Sequence, residues 1–205
     1  MMREGLRSAL EEQPDLTVVG EADNGRVAVE LARTLSPDVV VIDVSMPELN
    51  GIDATRQILA HAPGMKIIAL SMHGDKRYIT KMLEAGAVAY LLKSDAMTEL
   101  VRAVRGVVAN ETYFSPSVAR DVLELYVRHP NPGTTASGPQ LSDREREVLQ
   151  LLAEGKSSKE MAEILHLSVK TVETHRSRLM RRLSIHTIAE LTKYAVREGL
   201  TSLDD

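Results

Sequence analysis

The chain has 205 residues, of which 43% are hydrophobic and 26% charged, and its formal net charge is −4. This length and composition are typical of a soluble protein with one large or two modest domains. It contains no cysteine, no apolar signal segment and no run of ~20 apolar residues, so we expect a cytoplasmic protein without disulfides, thiolate sites or membrane spans.

Residues 1–115 alternate between predicted helices and predicted strands. Apolar residues three and four positions apart predict helices at 3–12, 24–35, 51–61, 75–83 and 95–108. Short runs of branched apolar residues predict strands at 16–22, 39–43, 66–72 and 89–93. Strands that alternate with helices form a parallel sheet with helices on both faces, so we expect a doubly wound α/β domain.

The strand at 39–43 is the most informative of these segments. Its four consecutive branched apolar residues are typical of a strand buried on both faces, and it ends at Asp43. A carboxylate at this end of a parallel strand lies where open α/β sheets bind their ligands. An aspartate that only caps a turn is the alternative.

Two other predicted strands end in polar residues, Ser71 and Lys93. Because the carboxyl ends of parallel strands lie along one edge of a sheet, we expect these two side chains to meet Asp43 there. A carboxylate, a hydroxyl and an ammonium group together could accept, hydrogen-bond and neutralise a phosphoryl group. A plain ion pair between Asp43 and Lys93 is the alternative. Tyr90 is expected to lie half in the core and half on the surface.

A linker and a second domain follow. Residues 117–127 predict a helix, and residues 129–140 form a linker with three prolines, two glycines and no large apolar residue. Ser142 and Glu145 predict a capping box at the start of a helix that ends at Glu154. Three further helices are predicted at 159–165, 169–183 and 187–198. Two short helices joined by a tight turn, the second of them basic, form a helix-turn-helix signature.

The helix at 169–183 concentrates positive charge. Residues 168–182 contain five basic residues and one acidic residue, although the charges of the second domain balance. Basic and hydroxyl side chains share the helix face opposite its apolar residues, and such a face suits the major groove of DNA. The residues of this face are Thr174, Ser177, Arg178 and Arg181. A solvated helix face is the alternative.

The strand-end residues belong to a longer motif of Asp43, Met46, Pro47, Gly51, Ser71, Tyr90 and Lys93. This motif resembles the receiver domain of bacterial two-component response regulators, and the phrases EADNG, MPELNGID and AYLLKSD look like the NarL/FixJ subfamily. Residues 141–183 are similar along their whole length to LuxR-type DNA-binding domains. The resemblance implies a flavodoxin-like receiver at 1–115, a helix and linker at 116–140, and an all-α four-helix LuxR-type helix-turn-helix domain at 141–205.

The resemblance also implies roles for the strand-end residues. Asp43 is then the phosphoacceptor, and Ser71 is the switch hydroxyl. Lys93 contacts the phosphate, and Tyr90 is the aromatic residue that rotates on activation. Mg²⁺ is the cofactor that the family uses, with Asp43 and the backbone carbonyl of Ser45 as two of its ligands.

In the second domain the resemblance implies a set of DNA-binding residues: Lys159, Lys170, Thr171, Glu173, Thr174, His175, Ser177, Arg178 and Arg181. Glu173, Thr174 and Ser177 then face the bases, and the others contact phosphates. Glu173 could accept a hydrogen bond from the amino group of a cytosine, with an intrahelical pair to Arg176 or Ser177 as the alternative. His175 is interpreted as a neutral phosphate donor, not as a metal ligand.

The chain departs from the family at its start. Family members begin with a strand that ends in an acidic pair, whereas this sequence begins at the helix that follows that strand. We therefore expect an incomplete Mg²⁺ site, weak Mg²⁺ binding and inefficient phosphorylation of Asp43. We expect either a start assigned too late or a natural truncation, in which the flanking strands pair directly or a second chain fills the gap.

Together these features predict a DNA-binding transcriptional response regulator, gated by phosphorylation of Asp43, and not an enzyme. The expected partners are promoter DNA, a sensor histidine kinase and a second copy of the chain, with RNA polymerase as a further candidate. One alternative is a phosphorylation-independent regulator whose truncated receiver serves as a dimerisation module. A remote alternative is a phosphatase of the haloacid-dehalogenase type, although those enzymes use Asp-x-Asp and the second position here is Ser45.

Overall fold

The structure, a computed structural model, describes residues 2–72, 74–128 and 141–201. The linker predicted at 129–140 lies outside these residues. The chain divides into two units, which comprise residues 1–44 with 51–133 and residues 45–50 with 134–205. Within the described ranges, none of the helices combines the length and the apolar character that crossing a membrane requires.

The first unit contains a four-stranded parallel sheet. Its helices are α1 (Met2–Glu11), α2 (Gly25–Leu35), α3 (Gly51–His61), α4 (Lys76–Glu84), α5 (Lys93–Val108) and α6 (Pro116–Arg128). Its strands are β1 (Val39–Asp43), β2 (Lys66–Ser71), β3 (Ala89–Leu92) and β4 (Tyr113–Phe114), in the sheet order β1-β2-β3-β4. The parallel sheet is confirmed. Strand β4 has only two residues, too few to show a pattern in the sequence, and it was not predicted.

The strand predicted at 16–22 is wrong. This segment has no strand conformation in the structure, although its composition favours one. A strand exists only where a neighbour completes its hydrogen-bond ladder, and among the described residues β1 pairs with β2 alone. Direct pairing across the gap left by the family's first strand would place residues 16–22 beside β1. The two segments do not pair directly in the part of the chain that is described.

Helix α5 packs against the sheet and carries much of the core of this unit. Leu100 and Val107 of α5 lie against Ile68 and Leu91 of the central strands, and all four side chains are buried. Helix α5 begins at Lys93, directly after β3, with no side-chain cap at its start. The helix predicted at 95–108 thus begins two residues earlier and is not capped by Asp95, because the strand runs into the helix without an intervening loop.

The described residues of the second unit form four helices, which confirms the prediction of an all-α domain. They are α7 (Asp143–Ala153), α8 (Ser158–Leu165), α9 (Val169–Leu183) and α10 (Ile188–Arg197). Ser142 and Glu145 form the predicted capping box of α7, and Ser157 forms a second one with Glu160 at the start of α8. The buried core of the unit is formed by Val148, Leu149, Leu151, Leu152, Met161, Ala162, Leu165, Val172, Leu179, Leu191, Ala195 and Leu200.

Candidate functional sites

The first candidate site lies at the carboxyl ends of β1, β2 and β3. Parallel pairing places Asp43 beside Leu70, and Ser71 beside Leu92. The ammonium group of Lys93 donates a hydrogen bond to the carboxylate of Asp43. The side chain of Asp43 is 29% exposed and that of Lys93 is 19% exposed. The carboxylate is therefore neutralised by a cation and still open to a reagent from solvent.

Ser71 and Tyr90 form a second pair at this edge of the sheet. Ser71 is 5% exposed, and its hydroxyl forms a hydrogen bond with that of Tyr90. Tyr90 has no exposed surface, so the expectation of a half-exposed aromatic is wrong. Its strand lies between β2 and β4, with Tyr90 beside Ala69 and Phe114, which encloses the ring. Burial raises the pKa of Tyr90 to about 12, although the Ser71 hydrogen bond opposes this shift.

Gly51 brings α3 against the end of β1. Its N–H donates to the carbonyl of Val44 at 2.9 Å. A Cβ at this position would lie 2.0 Å from the carbonyl oxygen of Asp43. Only glycine permits this approach, so Gly51 helps to fix the backbone of Asp43.

Three contacts that sequence reasoning missed hold α6 to the helices that begin at the site. Asp95, two residues after Lys93, accepts a hydrogen bond from Ser117 at 2.5 Å. Lys76, at the start of α4, pairs with Glu124 at 2.6 Å and with Asp121 at 3.5 Å. No sequence signal could have shown these pairs, because their partners lie 22 to 48 residues apart and follow no periodic pattern.

Asp43 offers one carboxylate to a Mg²⁺ ion at this edge of the sheet. Mg²⁺ requires near-octahedral oxygen ligands, usually from one or two carboxylates together with waters and substrate phosphates. Among the described residues there is no group of three or more Asp, Glu or His side chains that could hold a metal ion. The carboxylate of Asp43 is engaged by Lys93.

The second candidate site is the pair of helices α8 and α9. His166 ends α8 in a left-handed conformation, with φ 51°, and Ser168 caps α9 by accepting a hydrogen bond from the N–H of Thr171 at 3.1 Å. Both helix ends lie within residues 165–169, so the turn is tight. The predicted helix-turn-helix is confirmed.

Helix α9 has one buried and one exposed face. Val172 and Leu179 are fully buried. The exposed residues of the predicted DNA-binding set are Lys159, Lys170, Glu173, Thr174, Ser177, Arg178 and Arg181. Thr171 and His175 are half-buried beside them. The structure thus places the predicted residues on one surface, which consists of the outer face of α9 and Lys159 at the start of α8.

Two polar side chains on this surface already have partners. The hydroxyl of Thr174 donates to the carbonyl of Lys170 at 2.9 Å. The carboxylate of Glu173 accepts a hydrogen bond from the hydroxyl of Ser158 on α8 at 2.8 Å. Glu173 therefore pairs with the neighbouring helix, and not with Arg176 or Ser177 of its own helix as the alternative held.

Two protein-family models match the chain. The response regulator receiver domain matches residues 1–105, and the model of bacterial regulatory proteins of the luxR family matches residues 139–195.

Individual proteins are similar over nearly the full length. Identity to the response regulator UvrY of Escherichia coli strain K12 is 37% over 205 residues, which cover 100% of this chain and 93% of UvrY. Identity to the transcriptional regulatory protein LiaR of Bacillus subtilis strain 168 is 38% over 202 residues, which cover 98% and 95% of the two chains. A structure of RcsB from Salmonella enterica serovar Typhimurium, bound to a promoter with phosphomimetic BeF₃⁻, matches with TM-score 0.57 and 27% identity, over 97% of this chain and 93% of RcsB.

Proposed function

We propose a function from one premise: the chain belongs to the two-component response regulators that join a receiver domain to a LuxR-type DNA-binding domain. The members of this family regulate transcription and are not classed as enzymes. On this premise the chain binds promoter DNA through α9, and a phosphoryl group on Asp43 controls that binding. Its further partners are a sensor histidine kinase and a second copy of the chain, and it acts in the cytoplasm.

The exposed face of α9 carries the DNA-binding half of this proposal. Lys170, Arg178 and Arg181 are exposed on it, and no ion pair of theirs occurs among the described residues. Lysine and arginine that neutralise DNA phosphates release counterions, which supplies most of the sequence-independent affinity. The 15-residue helix is about 22 Å long, a length that fits the major groove. The promoter-bound structure of RcsB supports this role.

The smaller polar residues of this surface would read the bases. Because the hydroxyl proton of Thr174 is used within the helix, Thr174 can meet a base only as an acceptor or through its methyl group. Ser177 has no such internal bond among the described contacts and can donate or accept. Glu173 can only accept, so a cytosine amino group suits it best.

The strand-end site carries the phosphorylation half. A carboxylate oxygen of Asp43 forms the new bond to phosphorus, while the bond from phosphorus to the histidine nitrogen of the kinase breaks. Lys93, already hydrogen-bonded to Asp43, offsets part of the charge of the phosphoryl group, which is about −1.5 to −2. The hydroxyl of Ser71 can turn from Tyr90 to a phosphoryl oxygen. Helix α4 follows Ser71 and helix α5 begins at Lys93, and both of these helices contact α6.

Salt-dependent binding to duplex DNA tests the DNA-binding half. We expect the full chain to bind randomised duplexes with an affinity that falls steeply with salt. Lys170→Ala and Arg178→Ala should each weaken binding to all sequences and reduce the slope of log affinity against log salt by about 1. Fluorescence anisotropy over a range of salt concentrations measures both quantities.

The matched control is Arg33→Ala, which removes an equally exposed positive charge from α2 in the other unit. It should leave affinity and slope unchanged. The DNA-binding proposal fails if no duplex is bound in a salt-dependent way, or if the α9 variants behave like the control.

A further inference from the structure

We propose that Ser158 positions Glu173 for base recognition, so that a residue of α8 sets the sequence preference of α9. This inference rests on the proposed DNA-binding function. It concerns which bases are preferred, and not whether DNA is bound.

The contact joins the two helices of the helix-turn-helix. The Ser158 hydroxyl donates to Oε1 of Glu173 at 2.8 Å, across 15 residues of sequence. Ser158 is the first residue of α8, but the cap of that helix is made by Ser157 and Glu160. The helix therefore does not need the side chain of Ser158, which is available to hold a residue of α9.

Glu173 is an unusual residue for its surroundings. It is the one acidic residue among the DNA-binding set, and it is exposed beside Lys170 and other basic residues. A carboxylate close to DNA phosphates is repelled by them, so at this place it lowers general affinity. It becomes favourable only where it meets a donor, and in the major groove that donor is the amino group of cytosine.

The hydrogen bond from Ser158 removes part of the entropy that Glu173 would lose on binding a cytosine. A free glutamate side chain loses rotamer entropy when a contact fixes it. Ser158 holds Oε1 before DNA arrives, which leaves the remaining lone pairs of the carboxylate to accept from a base. Without this bond, Glu173 can swing toward a neighbouring basic side chain and lose its preference for one base.

Selection from randomised duplexes by the full chain, followed by sequencing, tests this inference without a known promoter. The wild type should enrich cytosine at one position of each half-site. Ser158→Ala should lower that preference about threefold, the size of one modest hydrogen bond. The variant should keep the salt slope and the affinity for unselected duplexes. Ser158→Thr keeps a hydroxyl and should restore the preference.

Two glutamate variants complete the test. Glu173→Gln should abolish the cytosine preference, and adding Ser158→Ala to it should change nothing further, because the two residues act as a unit. Glu163→Gln removes an equal charge from the exposed side of α8 and should leave the preference intact.

Three results would overturn the inference. Ser158→Ala could retain the wild-type preference, or it could weaken binding to all sequences equally, which would make Ser158 a phosphate contact. The inference would also be contradicted if the effects of Ser158→Ala and Glu173→Gln on the cytosine preference were fully additive. Absence of salt-dependent binding by the wild type would remove the proposed function and this inference together, whereas salt-dependent binding with an unchanged preference in Ser158→Ala removes this inference alone.

Discussion

Gly51 shows how closely the backbone is packed around Asp43. An added Cβ would lie 2.0 Å from the carbonyl oxygen of Asp43 and 3.0 Å from the Cα of Val44. Both neighbours are backbone atoms, which cannot rotate away as a flexible side chain could. Any other residue must therefore separate the start of α3 from the end of β1.

Replacement of Gly51 by alanine should consequently destabilise the first unit. We expect Gly51→Ala to lower the free energy of unfolding by about 3 kcal/mol, as overpacked sites do. Gly64→Ala is the matched control, since a Cβ there meets no atom within 4 Å, and it should change stability by less than about 0.5 kcal/mol. Urea unfolding followed by circular dichroism measures both variants. Equal stabilities of the two variants would show that this close approach is not needed.

At the scale of elements, Glu145 fixes two helices at once. Its carboxylate accepts from the backbone and the hydroxyl of Ser142 at the start of α7, and from Arg182 near the end of α9 at 2.5 Å. Burial alone would raise the pKa of Glu145, but the Ser142 hydrogen bonds and the charge of Arg182 outweigh it and lower the pKa. Helix α9 is thus anchored to α7 at its carboxyl end.

This anchor should depend on pH. Because the folded pKa of Glu145 is lowered, its contribution to stability is present above the ordinary value of 4.5 and is lost as pH falls through the folded pKa. Glu145→Gln keeps the capping box but loses the charge that faces Arg182. We expect it to cost about 1 kcal/mol at pH 7 and less at pH 3.

Hydrogen exchange of the buried α7 amides, corrected for the intrinsic rate at each pH, reports on the second unit alone. Glu163→Gln, an exposed substitution on α8, serves as the control and should change protection at neither pH. A loss of protection by Glu145→Gln that is the same at both pH values would contradict the assigned role of the charge.

The elements differ in how far the sequence could predict them, because helices and strands depend on different contacts. The starts of α7 and α9 were predictable, since Ser142 and Ser168 bond to residues three positions along the chain. The segment 16–22 was not, because a strand depends on a neighbour that local composition does not show.

The same distinction applies to the site residues. The meeting of Asp43 with Lys93 follows from parallel topology, which the alternating pattern predicts. The full burial of Tyr90 and the pairing of Ser158 with Glu173 depend on which elements pack together. Sequence spacing holds no information on such contacts, so they had to be observed.

At the scale of the whole molecule, substitution of Asp43 separates the rival functions. We expect acetyl phosphate to label the wild type slowly, because few oxygen ligands for Mg²⁺ surround Asp43, and to leave Asp43→Asn unlabelled. The labelled fraction should bind selected duplexes about tenfold more tightly, within the usual range of allosteric coupling. Intact-protein mass spectrometry measures the label, and anisotropy measures the affinity.

The alternatives predict different results for the same variant. A phosphorylation-independent regulator would bind DNA equally well with Asp43→Asn and would ignore acetyl phosphate. A phosphatase would turn over a phosphomonoester and lose that turnover with Asp43→Asn. Rapid and complete labelling of the wild type would contradict our expectation of a poor phosphoacceptor.

Strand β1 gives the purified protein a tendency to associate with itself, which its net charge does not reveal. Its branched residues Val39–Ile42 have a strand neighbour on one side only, within the ranges that the structure describes. The unpaired N–H and C=O groups of such an edge can form hydrogen bonds with another extended chain. Concentrated solutions of this protein should therefore become turbid while dilute solutions stay clear. A short peptide that pairs with this edge of β1 should prevent the turbidity.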